Sequence, residues 1–288
     1  MRFQEDRIEK LDCSDGKQRK IHVWEPEKPE KVFLTVHGGM DHGGNYCLPA
    51  LYFREHGIAT VVHDQQGHDH HGPDHPTRVI FSRFEGFLDD LDLMLDWVKR
   101  EYKNVPVYIL AHSMGGLIAT HWGIRHAERS TEVKGFVISS PYYVNAIKTP
   151  AIAEKMAGVL SSLFPKMKLP LESFLDVVTH DEEIYERHQK DEADGIMAKE
   201  CSFRFGSELL KAQAWIPDHI GEWKHPLLMI VAGDDRLANA PATRELLGKI
   251  DPKHLTELYY PENYHENFNE LNRDEIFGEI LEWVNKKS

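Results

Sequence analysis

The sequence predicts an α/β fold, a mostly parallel sheet covered by helices on both faces and interrupted by an inserted helical block. Three observations predict it. Short continuous apolar runs alternate with helix-period segments up to Pro141, and strands buried on both faces read as such runs. From about Tyr142 to Asp218 no convincing strand occurs, only helical segments. The alternation then returns with Leu227-Leu-Met-Ile-Val231, Leu255-Thr-Glu-Leu-Tyr-Tyr260 and a closing amphipathic helix. The chain therefore divides into a core, residues 1–141 and 219–288, and a helical cap, residues 142–218.

In chain order, Lys20-Ile-His-Val-Trp24 alternates and predicts an early strand, and Val32-Phe-Leu-Thr-Val36 predicts a central one. The central strand ends in His37-Gly-Gly-Met-Asp-His-Gly-Gly-Asn45, a glycine-rich loop whose backbone N–H groups can turn towards an anion. A helix from Tyr46 to Glu55, a buried strand Ile58-Ala-Thr-Val-Val62 and a histidine-rich loop from His63 to Gly72 follow. The next helix runs from about Ser82 to Glu101 and puts Phe84, Phe87, Leu91, Leu95 and Val98 on one face. Gly135-Phe-Val-Ile138 is a further strand. In the cap, helical spacing covers Pro150 to Phe164, Asp181 to Gln189 and Phe203 to Trp215, and the last helix of the chain spans Glu270 to Lys286.

Composition narrows the function classes. With 288 residues, 41% apolar and 28% charged, the chain has the profile of a globular protein, and it has no apolar run long enough to span a bilayer. Its 34 basic against 47 acidic residues, net −13, weigh against nucleic acid and against strong docking on anionic lipid. Met1-Arg-Phe-Gln-Glu-Asp-Arg7 has no apolar region of a secretory signal. Cys13, Cys47 and Cys201 are odd in number and far apart, so they read as reduced thiols, and the expected compartment is the cytoplasm.

The chemistry centres on Pro106-Val-Tyr-Ile-Leu-Ala-His-Ser-Met-Gly-Gly-Leu-Ile-Ala-Thr120. An apolar strand breaks at His112-Ser-Met-Gly-Gly116 and helical spacing resumes at once, which puts Ser113 at the tip of a sharp turn. Small residues are needed two places before and after such a serine, and Ala111 and Gly115 supply them. A serine hydroxyl needs an imidazole to take its proton and a carboxylate to orient the imidazole. After Leu227–Val231 the chain offers Asp234 and Asp235, and after Leu255–Tyr260 it offers His265. All lie after strands, on the edge where Ser113 sits, in the order serine, acid, histidine.

At these residues the chain resembles the monoacylglycerol lipase / lysophospholipase group of α/β-hydrolase serine hydrolases. His37-Gly-Gly-Met-Asp-His-Gly-Gly-Asn-Tyr46 is similar to that family's His-Gly-x-Gly-Glu-His-x-x-Arg-Tyr, and the elbow to its Gly-His-Ser-Met-Gly-Gly. His265-Glu-Asn-Phe-Asn-Glu270 resembles its His-Glu-x-x-Asn-Glu, and Thr179 to Asp191 resembles a segment of its cap. The resemblance runs from about residue 16 to 286. It implies an α/β-hydrolase fold, Ser113 as nucleophile, Asp235 rather than Asp234 as acid, His265 as base, and the N–H groups of Gly39 and Met114 as oxyanion donors. The implied substrate is a fatty acyl ester, with a short-chain ester, a thioester or acyl transfer as alternatives and a non-catalytic receptor as the rival class. No cofactor or metal is called for, and membrane contact is at most peripheral, through the cap.

Met40, Asp41 and Asn45 depart from the family's Gly, Glu and Arg, and these departures bear on the headgroup rather than on ester cleavage. Asp41, Asn45 and the cap positions Met156, Val159, Leu160 and Leu163 are the candidate substrate contacts. His63, His68, His70, His71 and His75, with Asp64, Asp69 and Asp74, lack a fixed metal-ligand spacing and read as a solvated, pocket-rimming loop. His37 and His42 read as residues that hold backbone in place.

Overall fold

The computed structural model describes residues 3–68, 83–146, 161–164, 166–170, 174–198 and 200–287. The first half contains β1 (Arg7–Asp12), β2 (Gln18–Trp24), β3 (Lys31–Val36), α1 (Cys47–Glu55), β4 (Ile58–His63), α2 (Glu85–Glu101), β5 (Val107–His112), α3 (Met114–Arg125) and β6 (Phe136–Ser139). The second contains β7 (Lys168–Pro170), α4 (Glu182–Ala193), β8 (Glu200–Ser202), α5 (Phe203–His219), β9 (Leu227–Ala232), α6 (Ala240–Leu247), β10 (Leu255–Tyr260) and α7 (Arg273–Lys286).

Eight strands form one sheet in the order β1-β2-β4-β3-β5-β6-β9-β10. β1 with β2 and β2 with β4 are antiparallel, and every later pairing is parallel. The parallel strands all release their following loops at one edge, so residues distant in sequence meet there. Strand alternation splits the core in two. Leu34 and Ile109 pack on one face with Leu91, Leu117 and Trp122 of α2 and α3, whereas Phe33, Tyr108 and Leu110 pack on the other with Phe53, Phe277 and Ile280 of α1 and α7.

Between β6 and β9 the described residues add no strand to this sheet. The expectation of helices alone needs one correction, because β7 and β8 pair antiparallel, Lys168 opposite Ser202. At three residues each, these strands are too short to impose a period on the sequence. β1, with only one buried position, also gave no signal. α5 lies against α3, where His121 Nε2 contacts the Ala212 carbonyl at 3.0 Å and its ring stacks on Trp215.

Two glycines give a test of how tightly this frame is packed. A Cβ on Gly115 would lie 2.0 Å from the Val36 carbonyl oxygen, backbone against backbone, whereas one on Gly206 in α5 meets nothing within 4 Å. Gly115→Ala is expected to cost about 3 kcal/mol in urea unfolding, and Gly206→Ala to stabilise by about 0.5–1 kcal/mol. Equal effects would mean that the close contact between α3 and β3 is absent in solution.

Candidate active site

β5 ends at His112 and α3 begins at Met114, which leaves one residue to reverse the chain. Ser113 does so at φ 54° and ψ −120°, a region that costs a non-glycine residue about 1–3 kcal/mol. Hydrogen bonds over-determine it. Its N–H donates to the Ser139 carbonyl at 3.0 Å, and its carbonyl accepts from Tyr142 N–H at 3.0 Å and Leu117 N–H at 3.1 Å. The hydroxyl is thereby presented above the carboxyl edge of the sheet.

The loops after β9 and β10 bring Asp235 and His265 to this hydroxyl. His265 Nε2 lies 2.8 Å from Ser113 Oγ and His265 Nδ1 lies 2.7 Å from Asp235 Oδ2. Asp235 Oδ1 accepts the N–H groups of Leu237 and Ala238, both at 2.8 Å. Asp234 faces outward and pairs with Arg236, so of the two adjacent aspartates only Asp235 joins the series. Burial would lower the His265 pKa, but the Asp235 charge and hydrogen bond, with the Glu266 charge, outweigh it and hold the imidazole above its usual value. For Asp235, burial raises the pKa, and the His265 charge and hydrogen bond with two backbone N–H donors bring it below the usual range.

The glycine-rich loop after β3 packs directly on this turn. A Cβ on Gly39 would stand 3.7 Å from Met114 Cβ, so the residues of the two candidate oxyanion donors are neighbours. Several imidazoles and carboxylates hold the loop. Gln65 N–H donates to His37 Nε2 at 2.9 Å, which leaves the proton on Nδ1 to donate to the Gly38 carbonyl at 2.8 Å. Burial depresses the His37 pKa well below the imidazole range, consistent with this neutral form. Gly43 N–H donates to Asp64 at 2.9 Å, and His42 faces Asp191 of α4 at 3.4 Å. Met40 adopts φ 62°, a left-handed conformation at a position where a glycine would be unstrained.

The histidine-rich loop differs from its expectation over its described part. His63, Asp64 and His68 are buried rather than solvated, because this stretch lies under the glycine-rich loop and supplies its hydrogen-bond partners. Among the described residues no three His, Cys, Asp or Glu are placed to hold a metal ion. Asp69, His70, His71, Asp74 and His75 lie outside the described residues.

Ser113 opens into a cavity of about 360 Å³, within the size range of small-molecule sites. Its apolar wall includes Phe174, Val178, Met197, Phe205, Leu209 and Leu210, and Asp41 and Glu266 line it as well. Of the sequence candidates, Gly39, Asp41, Ser113, Met114 and His265 line the cavity. Asn45 does not. It is buried beside a smaller neighbouring pocket and accepts a hydrogen bond from Arg187 of α4. Leu163 is 66% exposed at the end of a helical turn whose inward residue is Ser161, so it forms no wall. Met156, Val159 and Leu160 lie outside the described residues.

Sequence reasoning missed Glu266 and its partner His188. His188 Nε2 lies 2.9 Å from Glu266 Oε2, which also accepts from Asn269 at 2.6 Å. Asp41 shares this buried region, and burial together with the Glu266 charge pushes its pKa up to about 7. The available signal for Glu266 was its place in the His-Glu-x-x-Asn-Glu pattern, directly after His265.

Fold and site together define an α/β-hydrolase with a serine–histidine–aspartate series at the carboxyl edge of its sheet. The chain belongs to the family described as serine aminopeptidase, S33, whose model matches residues 27–272. It is 28% identical over 257 residues to phospholipase YtpA of Bacillus subtilis, covering 88% of this chain and 95% of that one. It is also 26% identical over 280 residues to the monoglyceride lipase of Homo sapiens, covering 96% and 89%. In fold it is similar to a soluble variant of monoglyceride lipase from Saccharomyces cerevisiae, solved with a substrate analogue (TM-score 0.83, 16% identity, 98% and 95% covered).

An imidazole in the place of His265 takes a serine proton only when neutral. Since its pKa is held above 6.5, ester turnover should rise with pH through a midpoint above that of free imidazole. Asp235→Asn removes the largest raising influence, so the midpoint should move down while kcat falls about 10⁴-fold. A kcat/KM–pH profile of both proteins checks this, and an unmoved midpoint would contradict the pairing.

Proposed function

We propose that the protein is a carboxylic ester hydrolase that cleaves fatty acyl esters of neutral headgroup through an acyl-enzyme on Ser113. The observation that carries this reading is the opening of the Ser113–His265–Asp235 series into a largely apolar cavity. His265 removes the serine proton as Ser113 attacks the ester carbonyl, and the N–H groups of Gly39 and Met114 hold the oxyanion. His265 then protonates the leaving alcohol, and water, deprotonated by the same imidazole, releases the acid. Asp235 fixes the tautomer throughout.

The acyl chain is assigned to the wall formed by Phe174, Val178, Met197, Phe205 and Leu209, and the headgroup to the side of Asp41 and Glu266. No Arg or Lys lines the cavity among the described residues, so a phosphate would meet two carboxyl groups and no cation. That favours a polyol such as glycerol over a phosphate-bearing lysolipid. The family's peptidase description suggests a second reading, a free amine held by the same carboxyls. Glu266 already faces His188, and burial beside the Glu266 charge raises the Asp41 pKa, so neither carboxyl is a free fixed charge for an ammonium group.

We assign the catalytic core to residues 1–141 and 219–288 and the cap to residues 142–218, and we place the enzyme in the cytoplasm with at most peripheral membrane contact through the cap. No helix among the described residues is long and apolar enough to cross a membrane.

Hydrolysis of p-nitrophenyl esters from acetyl to palmitoyl, beside monoacylglycerol, lysophosphatidylcholine and an aminoacyl p-nitroanilide, tests the reading. kcat/KM should rise with acyl length, as each buried methylene contributes about 0.8 kcal/mol, and monoacylglycerol should exceed the lysolipid. Ser113→Ala should lose at least about 10⁴-fold. Activity that falls steadily beyond butyryl would favour a short-chain esterase, and preference for the anilide would favour the peptidase.

A further inference from the structure

We propose that His68 is a positioning residue of the oxyanion hole, acting through the backbone of Met40 and deepening the assignment of Gly39 as a donor. The glycine-rich loop presents two consecutive peptide planes beside Ser113, Gly38–Gly39 and Gly39–Met40. The first carries the Gly39 N–H. Because a peptide unit is planar and trans, fixing its carbonyl fixes where its N–H points. His37 Nδ1–H holds that carbonyl, on Gly38, at 2.8 Å.

His68 holds the second plane. Met40 N–H donates to His68 Nε2 at 3.0 Å, and His68 Nδ1 in turn donates to the Gln66 carbonyl at 3.0 Å. A backbone donor on Nε2 requires that nitrogen to be unprotonated, so His68 acts as a neutral imidazole with its proton on Nδ1. The Met40 carbonyl accepts from Ala198 N–H at 3.1 Å. Met40 is thus gripped at both backbone groups, once by the loop after β4 and once by the cap. It needs the grip, since its φ of 62° is a conformation that persists only where the surroundings over-determine it. Releasing Met40 N–H loosens the Gly39–Met40 plane and leaves the Gly39 N–H held from one side only, by the His37 contact to the Gly38 carbonyl.

The ring of His68 also has a place in the substrate chamber. It packs on Phe205, with ring centres 5.8 Å apart, and meets His37 edge to face at 5.3 Å. Phe205 lines the cavity, and a Cβ on Gly39 would lie 3.8 Å from its Cζ. One imidazole therefore touches both the oxyanion loop and the acyl wall, without reaching the reacting atoms.

The role calls for an acceptor at Nε2, and two substitutions separate acceptor from bulk. His68→Leu fills space but accepts nothing, whereas the Oε1 of His68→Gln stands in for Nε2. On the best p-nitrophenyl ester, His68→Leu should lower kcat about 10–100-fold, less than loss of a whole oxyanion donor, with KM nearly unchanged. The rate of Ser113 phosphonylation by a fluorophosphonate probe should fall in parallel. His68→Gln should recover most of both. If His68→Leu does not melt cooperatively, His68→Ala, which relieves crowding, is read in its place with the same expectations. A kcat within twofold of wild type for the acceptor-free variant overturns the proposal, and so does a His68→Gln that falls as far as His68→Leu. Ester turnover by wild type that is absent in Ser113→Ala keeps the hydrolase reading standing in either case. Wild type without turnover of any ester overturns both.

Discussion

Ser113 is held at φ 54° and ψ −120°, and the site exists because that conformation is enforced. A serine in an ordinary strand-to-helix connection would not stand clear of the sheet with its hydroxyl reachable from two other loops. The strain is offset by three backbone hydrogen bonds, to Ser139, Leu117 and Tyr142, and by a glycine two residues later that lets α3 close against the Val36 carbonyl. Two of those partners reach forward. Ser139 ends β6 and Tyr142 lies just after it, so the elbow is complete only when its neighbouring strand is in place. Local strain here is paid for by the tertiary structure.

Around that turn, the imidazoles divide into two electrostatic populations. Those facing carboxylates are pushed towards the charged form: His22 between Glu5 and Asp64 rises to about 9, and His188 beside Glu266 and His265 beside Asp235 also rise. Those in which burial prevails are pushed towards the neutral form: His112 to about 3, His121 to about 4, and His63 to about 4, where the Arg19 charge adds to burial against Asp90 and Asp64. His42 lies between the two, since burial outweighs its contact with Asp191 and keeps it low. Burial opposes the charged form everywhere, and the balance between it and any facing carboxylate sets the direction. In His22 the sign of its pH effect is clear. A folded pKa above the unfolded value stabilises the protein fully below about 6.5, and that contribution fades as pH rises through about 9.

The parts legible in the sequence are those governed by short periods or by a single local geometry. Val32–Val36, Ile58–Val62 and Leu227–Val231 are continuous apolar runs because both faces of the sheet are covered, and Ala111 and Gly115 disclose the elbow through steric need. Strand ends narrow the series to Ser113, Asp234 or Asp235, and His265, and it is the family resemblance that chooses Asp235. The pairings across the cap were not legible. Arg187 reaching Asn45, His188 reaching Glu266 and Asp191 facing His42 join residues 78 to 149 positions apart, and nothing in a helix of mixed charge marks which side chains turn inward. Leu163 shows the converse, an apolar residue at the right helical spacing that nevertheless faces solvent at a helix end.

Asn45 stands where the resembling family carries Arg, yet a guanidinium does arrive there, delivered by Arg187 from α4. The same helix sends His188 to Glu266, beside His265, and Asp191 to His42, in the glycine-rich loop. Val178 and Ala198, on either side of α4, bond backbone to backbone with Glu266 and Met40. This half of the cap is thus bound to both loops that the proposed reaction uses, through buried groups that would each be left unpaired if it lifted away. A roof so attached behaves as part of the catalytic frame. Residues 174–210 contribute the apolar wall of the chamber, while the loops at the sheet's carboxyl edge supply the hydroxyl, the imidazole and the carboxyl groups, so the proposed division between acyl side and headgroup side follows these two sources.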